Sequence, residues 1–193
     1  MDNMYFSRQA LVENLEQELM KTCRSYGMLG NNLYEIEELN EKWSQSAQQY
    51  MADVVPEIPR YPMVAIAWAA YYGLAAAYYW DLDWDKVKDC PDLYAFVRDL
   101  SGFDSMDDYV TWTLLSLDPK SKSEKVRTQS EKLTSCLQAC SEKALNMIRH
   151  QGIEPQSKEA FYLFAAVEKL MFRIGVSIQL YRSGYRYEKL GLN

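Results

Sequence analysis

Five aspartates, Asp81, Asp83, Asp85, Asp89 and Asp92, stand at positions 1, 3, 5, 9 and 12 of a twelve-residue window. This is the spacing by which a calcium-binding loop surrounds its ion with oxygens. The window departs from that pattern where it matters. Lys86 replaces the glycine of the sharp turn, Lys88 replaces an apolar residue, Pro91 interrupts the exit, and the twelfth ligand is Asp instead of the longer Glu. Two ammonium groups inside the ring would repel a cation. The stretch therefore reads as a solvated loop with aspartate caps, and no metal or other cofactor is expected there or elsewhere.

Glu168 is the other carboxylate whose position is informative. With Phe164 taken as 0° on a helical wheel, Phe161, Met171, Gly175 and Ile178 fall within about 60°, and Glu168 lies near 40°, inside the apolar arc. A carboxylate there is costly unless it is paired or hydrogen-bonded. The expectation is a buried contact to a tyrosine hydroxyl or to Arg60, Arg98 or Arg149. The functional alternative is a pocket between helices, with Glu168, Tyr72 and Tyr79 as its polar lining.

The remaining reactive types are sparse. His150 is the one histidine, and it falls at a helix end where an imidazolium is favoured by the helix dipole. A single histidine excludes histidine-rich metal centres built from one chain. Cys136 and Cys140 are four apart on one helical face, but no local spacing supplies further ligands, so they read as small core hydrophobes. Glu35, Glu38 and Glu41 are similar to the Glu-x-x-Glu of all-α nucleotide pyrophosphatases. Helical phase turns them away from the apolar arc and no second acidic pair follows, so the likeness implies no activity. Arg182, Tyr185, Arg186, Tyr187 and Lys189 interleave bases with aromatics, but the chain is acidic at −6 and carries no nucleic-acid motif, so nucleic acid is disfavoured as a partner.

The elements that must position these residues are helices almost throughout. Residues 61–80, YPMVAIAWAAYYGLAAAYYW, contain no charge and have no polar face. A helix of this kind is either buried on every side or crosses a membrane. Alanine contributes little transfer energy, the five tyrosine hydroxyls need partners, and no basic cluster flanks the segment, so a buried central helix is expected. Ala65, Ala69, Gly73 and Ala77 form a ladder of small residues along it, suited to a closely packed neighbour.

Around it, a first helix over about 4–25 carries Val12, Leu15, Leu19, Cys23 and Tyr26 on one stripe. A second is expected to be capped by Asn32 with Glu35, and to bury Leu33, Ile36, Trp43, Ala47, Tyr50 and Val54. Pro56, Pro59 and Pro62 break the chain before the central helix. A short helix over 91–101 should bury Leu93, Phe96, Val97 and Leu100. The next, capped by Ser105 with Asp108, should bury Tyr109, Val110, Thr113, Leu114 and Leu117. Two long helices complete the chain, one ending near residue 150 with Val126, Leu133, Leu137, Cys140, Ala144 and Ile148 inward, the other covering about 156–182.

The reading is an all-α, single-domain bundle of about seven helices spanning 1–193. No basic, apolar leader opens the sequence and the four cysteines are irregularly spaced, which together point to a reducing cytoplasm. Residues 1–119 carry a net −12 and residues 120–193 a net +6, which is most simply explained by carboxy-terminal helices lying against acidic ones. With no nucleophile–base pair and no phosphate-binding glycine loop, the expected role is binding, through a protein partner or a second copy of the chain, and not catalysis. The alternative is a small-molecule or metal-dependent enzyme with a pocket near Glu168.

Overall fold

A computed structural model describes residues 2–186, of which the helices are α1 (Asp2–Ser25), α2 (Glu37–Val54), α3 (Pro62–Val87), α4 (Leu93–Ser101), α5 (Met106–Asp108), α6 (Glu124–Arg149) and α7 (Lys158–Arg182). The chain is 77% helical and contains no strand among the described residues. The central helix forms as its composition requires. Pro62 sits in its first turn, where the missing N–H costs nothing, and from Ala65 to Ala77 nearly every side chain is buried. Among the described residues no helix is long and apolar enough to cross a membrane.

The small-residue ladder of α3 meets α7, and the two form the largest helix–helix contact in the fold. Two glycines make the approach possible. A Cβ on Gly73 would overlap the backbone carbonyl of Phe172, and a Cβ on Gly175 would overlap that of Ala70. The two helices therefore touch backbone to backbone at a crossing that each side supplies with one glycine.

Charge pairing explains the sign asymmetry along the chain. Arg173 of α7 reaches Glu16 of α1 at 2.8 Å and also pairs with Glu35, while Lys143 of α6 donates to Glu18 of α1 at 2.7 Å. The basic carboxy-terminal helices thus lie against acidic elements from the first part of the chain, as expected.

Several local expectations need correction. Asn32 does not cap α2: the helix begins at Glu37, with extended Ile36 at its N-cap and no side-chain cap. Tertiary bonding is the reason, because the Tyr34 N–H donates to Ser177 Oγ of α7 at 2.9 Å and buried Leu33 anchors the segment in an open conformation. The acidic stretch is not a loop. The central helix runs on to Val87, interrupted at Asp83 (φ −165°, ψ 83°). Its carbonyl end is closed by buried Lys42 of α2, whose ammonium donates to the carbonyls of Lys88 and Cys90 at 2.6 and 2.7 Å. Phe96 and Leu100 point outward, 44% and 47% exposed, leaving Leu93, Tyr94 and Val97 as the inner face of α4.

Ser105 likewise makes no cap, and α5 passes within one turn into a π-helix, Tyr109–Leu114. The wider π turn shifts the phase, so Thr111 is buried and Thr113 exposed, the reverse of the α-helical expectation. Ser116, at φ 53°, then turns the chain toward α6. The tail folds back on the body: the Tyr185 hydroxyl donates to Asp81 at 2.7 Å, and Arg186 lies over the Tyr181 ring at 4.3 Å. Tyr187 and Lys189 of the basic-aromatic pattern lie outside the described residues.

Candidate functional site

Glu168 is fully buried in the middle of α7. The Tyr50 hydroxyl of α2 donates to its Oε2 at 2.9 Å, so the partner is a tyrosine and none of the three arginines. Its second oxygen, Oε1, has no hydrogen-bond partner. Burial drives the carboxyl well above the usual carboxylate range, against the smaller opposing effect of the Tyr50 hydrogen bond. The same Tyr50 hydroxyl stands 3.3 Å from the Ala65 carbonyl, which competes for its single proton. A neutral Glu168 resolves the competition, because its own O–H can be given to Tyr50 while Tyr50 serves Ala65.

Tyr72 and Tyr79 do not join Glu168 in one pocket. Tyr72 gives its hydroxyl to buried Ser46 at 3.1 Å, and Tyr79 meets the Tyr109 hydroxyl at 3.2 Å. Burial raises both phenols, so they stay neutral. Around Tyr50 and Tyr72 the rings of Trp43, Tyr94 and Phe172 close at centroid distances of 5.0–6.4 Å. Tyr94 then donates outward to Asp53 at 2.8 Å, which also takes Arg98 at 2.7 Å. This is a satisfied aromatic core whose hydroxyls have found partners.

Two clefts open elsewhere. One, of about 460 Å³, is lined by Glu35, Glu37, Asn40, Glu41, Ser44 and Gln45, all from a single stretch of chain. The other, of about 380 Å³, is walled by Tyr71 of α3, the turn from Asp107 to Trp112, Pro119 of the connection that follows, and the hydroxyl-rich flank of α6 from Ser130 to Ser135. Neither reaches Glu168. The second cleft has the size of a small-ligand site and a mixed aromatic and polar wall.

Its electrostatics are one-sided. Asp107, Asp108 and Glu131 all face it, and no basic side chain pairs with any of them among the described residues. Asp107 is half-buried, and desolvation raises its carboxyl above the ordinary range, a shift opposed by backbone hydrogen bonds from the Asp108 and Asp107 N–H groups and reinforced by the Asp108 charge. Trp112 is 39% exposed at the rim, and the Lys120 ammonium stands 5.8 Å above its ring. The Thr134 hydroxyl, on the exposed flank of α6, lies against the buried Tyr71 phenol. The π winding places Thr111 and Trp112 on this wall, and such irregular turns recur at functional sites.

The acidic stretch carries its own counter-charges. Asp83 pairs with Lys86 at 2.6 Å, Asp85 with Lys88 at 2.8 Å, and Asp92 caps α4 by accepting the Ala95 N–H at 2.9 Å. His150 lies exposed at the C-cap of α6. A third thiol, Cys23 of α1, joins Cys136 and Cys140, a convergence that local spacing could not disclose.

Comparison of the chain with family models, characterised proteins and solved structures finds no match. Sequence reasoning missed the Asp107–Trp112 cleft. The available signals were three acids without nearby bases between residues 104 and 108, and an exposed Trp beside them, but the π turn that brings them to α6 leaves no local mark.

Proposed function

We propose that the protein is a helical binding module whose cleft between the 107–112 turn and α6 receives an organic cation, an ammonium or guanidinium group, carried by a small amine or by a basic side chain of a protein partner. The observation that carries this reading is the half-buried, unpaired Asp107 beside Asp108, at a cleft whose rim is an exposed tryptophan. A cation there would gain charge-assisted hydrogen bonds from two carboxylates, and the face of Trp112 is already the resting place of one ammonium, that of Lys120. The hydroxyls of Thr111, Ser130 and Thr134 would orient it. Four free cysteines favour work in a reducing compartment such as the cytoplasm.

The alternative of an enzyme centred on Glu168 draws less support. Its carboxyl is sealed among apolar and aromatic side chains, and both clefts lie elsewhere.

Calorimetric titration of the full chain with putrescine, agmatine and an oligo-lysine peptide tests the proposal. Saturable binding by at least one is expected, weakened at least about tenfold by Asp107→Asn and strengthened as salt is lowered. Because the folded carboxyl of Asp107 is raised, affinity should fall as pH drops through that raised value, earlier than for an ordinary aspartate. No saturable heat from any of the three, or unchanged affinity in both Asp107→Asn and Asp108→Asn, would overturn it.

A further inference from the structure

Three of the four cysteines converge in the core. Cys23 lies near the end of α1, while Cys136 and Cys140 occupy successive turns of one face of α6. Their Sγ atoms all lie within 4.8 Å of one another, with Cys23 and Cys140 at 3.6 Å, and all three residues are fully buried. Sulfurs bound at about 2.3 Å to one shared ion stand roughly 3.7–4.0 Å apart. Shifts of an ångström or less would therefore bring the three sulfurs to bonding distance around a common centre.

The chemistry of the cluster narrows the ion. Thiolates select soft metals. Zinc favours four ligands, and among the described residues no histidine or carboxylate joins the three thiols as a fourth. A d¹⁰ monovalent ion is satisfied by three sulfurs in a plane. Charge is also manageable. Metal binding displaces protons from thiols, so the ion itself supplies the charge that stabilises the thiolates. Lys143, three residues on from Cys140 in α6, is held by Glu18 of α1.

We propose that Cys23, Cys136 and Cys140 form a three-coordinate thiolate site for Cu(I). Starting from three thiols, binding forms three Cu–S bonds and breaks two S–H bonds, releasing two protons to solvent. The product holds Cu(I), two thiolates and one thiol, a net −1. No electron moves. Because Cys23 comes from α1 and the other two from α6, the ion would clamp these helices together across a sequence separation of 117 residues.

The experiment is an anaerobic titration of the reduced full chain with Cu(I) against bathocuproine disulfonate, followed by X-ray absorption at the copper edge. The expected result is transfer of one copper per chain, with sulfur as the only first-shell scatterer, about three per copper. Cys23→Ser and Cys136→Ser should abolish the 1:1 transfer, while Cys90→Ser, outside the cluster, should keep it. Circular dichroism shows whether each variant is folded, and the Ala variants replace any Ser variant that is not. The scattering of the parent protein decides the matter independently of every variant. Copper left wholly with the chelator, nitrogen or oxygen in the first shell, or loss of binding in Cys90→Ser alone would each overturn the assignment.

Discussion

Gly73→Ala adds one methyl at the closest approach in the molecule, and the cost can be worked from the geometry. The new Cβ would stand 2.9 Å from the Phe172 carbonyl carbon and 3.0 Å from the Val176 nitrogen, and nearer still to the Phe172 oxygen. Non-bonded carbons settle at about 3.5–4.0 Å, so α3 and α7 must part by something approaching 1 Å. The obstacle is backbone, which cannot rotate aside. A gap of about 0.5–1 Å forfeits a quarter to a half of each dispersion well. Applied to roughly 60–100 atom pairs along the seam at about 0.1–0.2 kcal/mol each, that loss spans about 1.5–10 kcal/mol, near 4 at mid-range. Replacing glycine within a helix returns about 1 kcal/mol of propensity. The net expectation is a destabilisation of about 2–4 kcal/mol, near the upper range for overpacked cores. At about 2–4 °C per kcal/mol for a chain of this size, the melting temperature should fall by roughly 5–15 °C, and the urea midpoint should drop with an unchanged slope. Gly175→Ala, which meets the Ala70 carbonyl, should cost a similar amount. Because one separation of the helices relieves both clashes, the double variant should cost little more than the worse single one, a marked departure from additivity. A Gly73→Ala protein that melts at or above the parent would refute the close crossing, and additive single costs would refute its shared geometry.

Glu168→Gln mimics the neutral carboxyl and should cost only about 1 kcal/mol at acid pH, where its spare amide N–H lacks an acceptor. Since the folded carboxyl of Glu168 is raised above its unfolded value, its contribution is complete below the ordinary glutamate range and is lost as pH rises toward the folded value. The parent should therefore lose stability across that window while the Gln variant shows a flatter profile in urea titrations, and identical slopes would mean Glu168 is charged in the fold. Arg173→Met removes the shared partner of Glu16 and Glu35, both partly exposed, and should cost about 1–2 kcal/mol by thermal melting, with no change meaning these contacts are idle. Calcium should produce no saturable rise in melting temperature, because Asp83 and Asp85 already hold lysines; a rise abolished by Asp81→Asn would show that the aspartate spacing prevails over those pairs.

The parts of this fold that could be read from the chain are those set by short-range pattern. Residues 61–80 had no polar face, and the helix they form is buried along most of that length. The phase of Glu168 placed it among apolar neighbours, and it is buried there, but which tyrosine would meet it depended on α2 folding back across α3. Asn32 and Glu35 match a capping pattern, yet the Ser177 hydroxyl, 143 residues from Tyr34, decides the conformation of that segment. The acidic stretch looked like a loop because charge and Pro91 suggest one, whereas lysines three residues on from Asp83 and Asp85 give it helical pairings. The π turn at Tyr109–Leu114 and the meeting of Cys23 with Cys136 and Cys140 belong to register and tertiary packing, and neither leaves a periodic signature.

The crossing of α3 and α7 also sets a schedule for synthesis. The most apolar helix of the protein, Pro62–Val87, leaves the ribosome well before Lys158–Arg182, the helix that covers its glycine face. At about 5–20 residues per second, the nascent chain carries that bare surface for roughly 5–20 s before its cover is made. In the fold the surface at Gly73 is filled by the α7 backbone at Phe172, which is made last. Ribosomes stalled just before residue 158 should therefore display a protease-sensitive intermediate that disappears once the last helix has emerged.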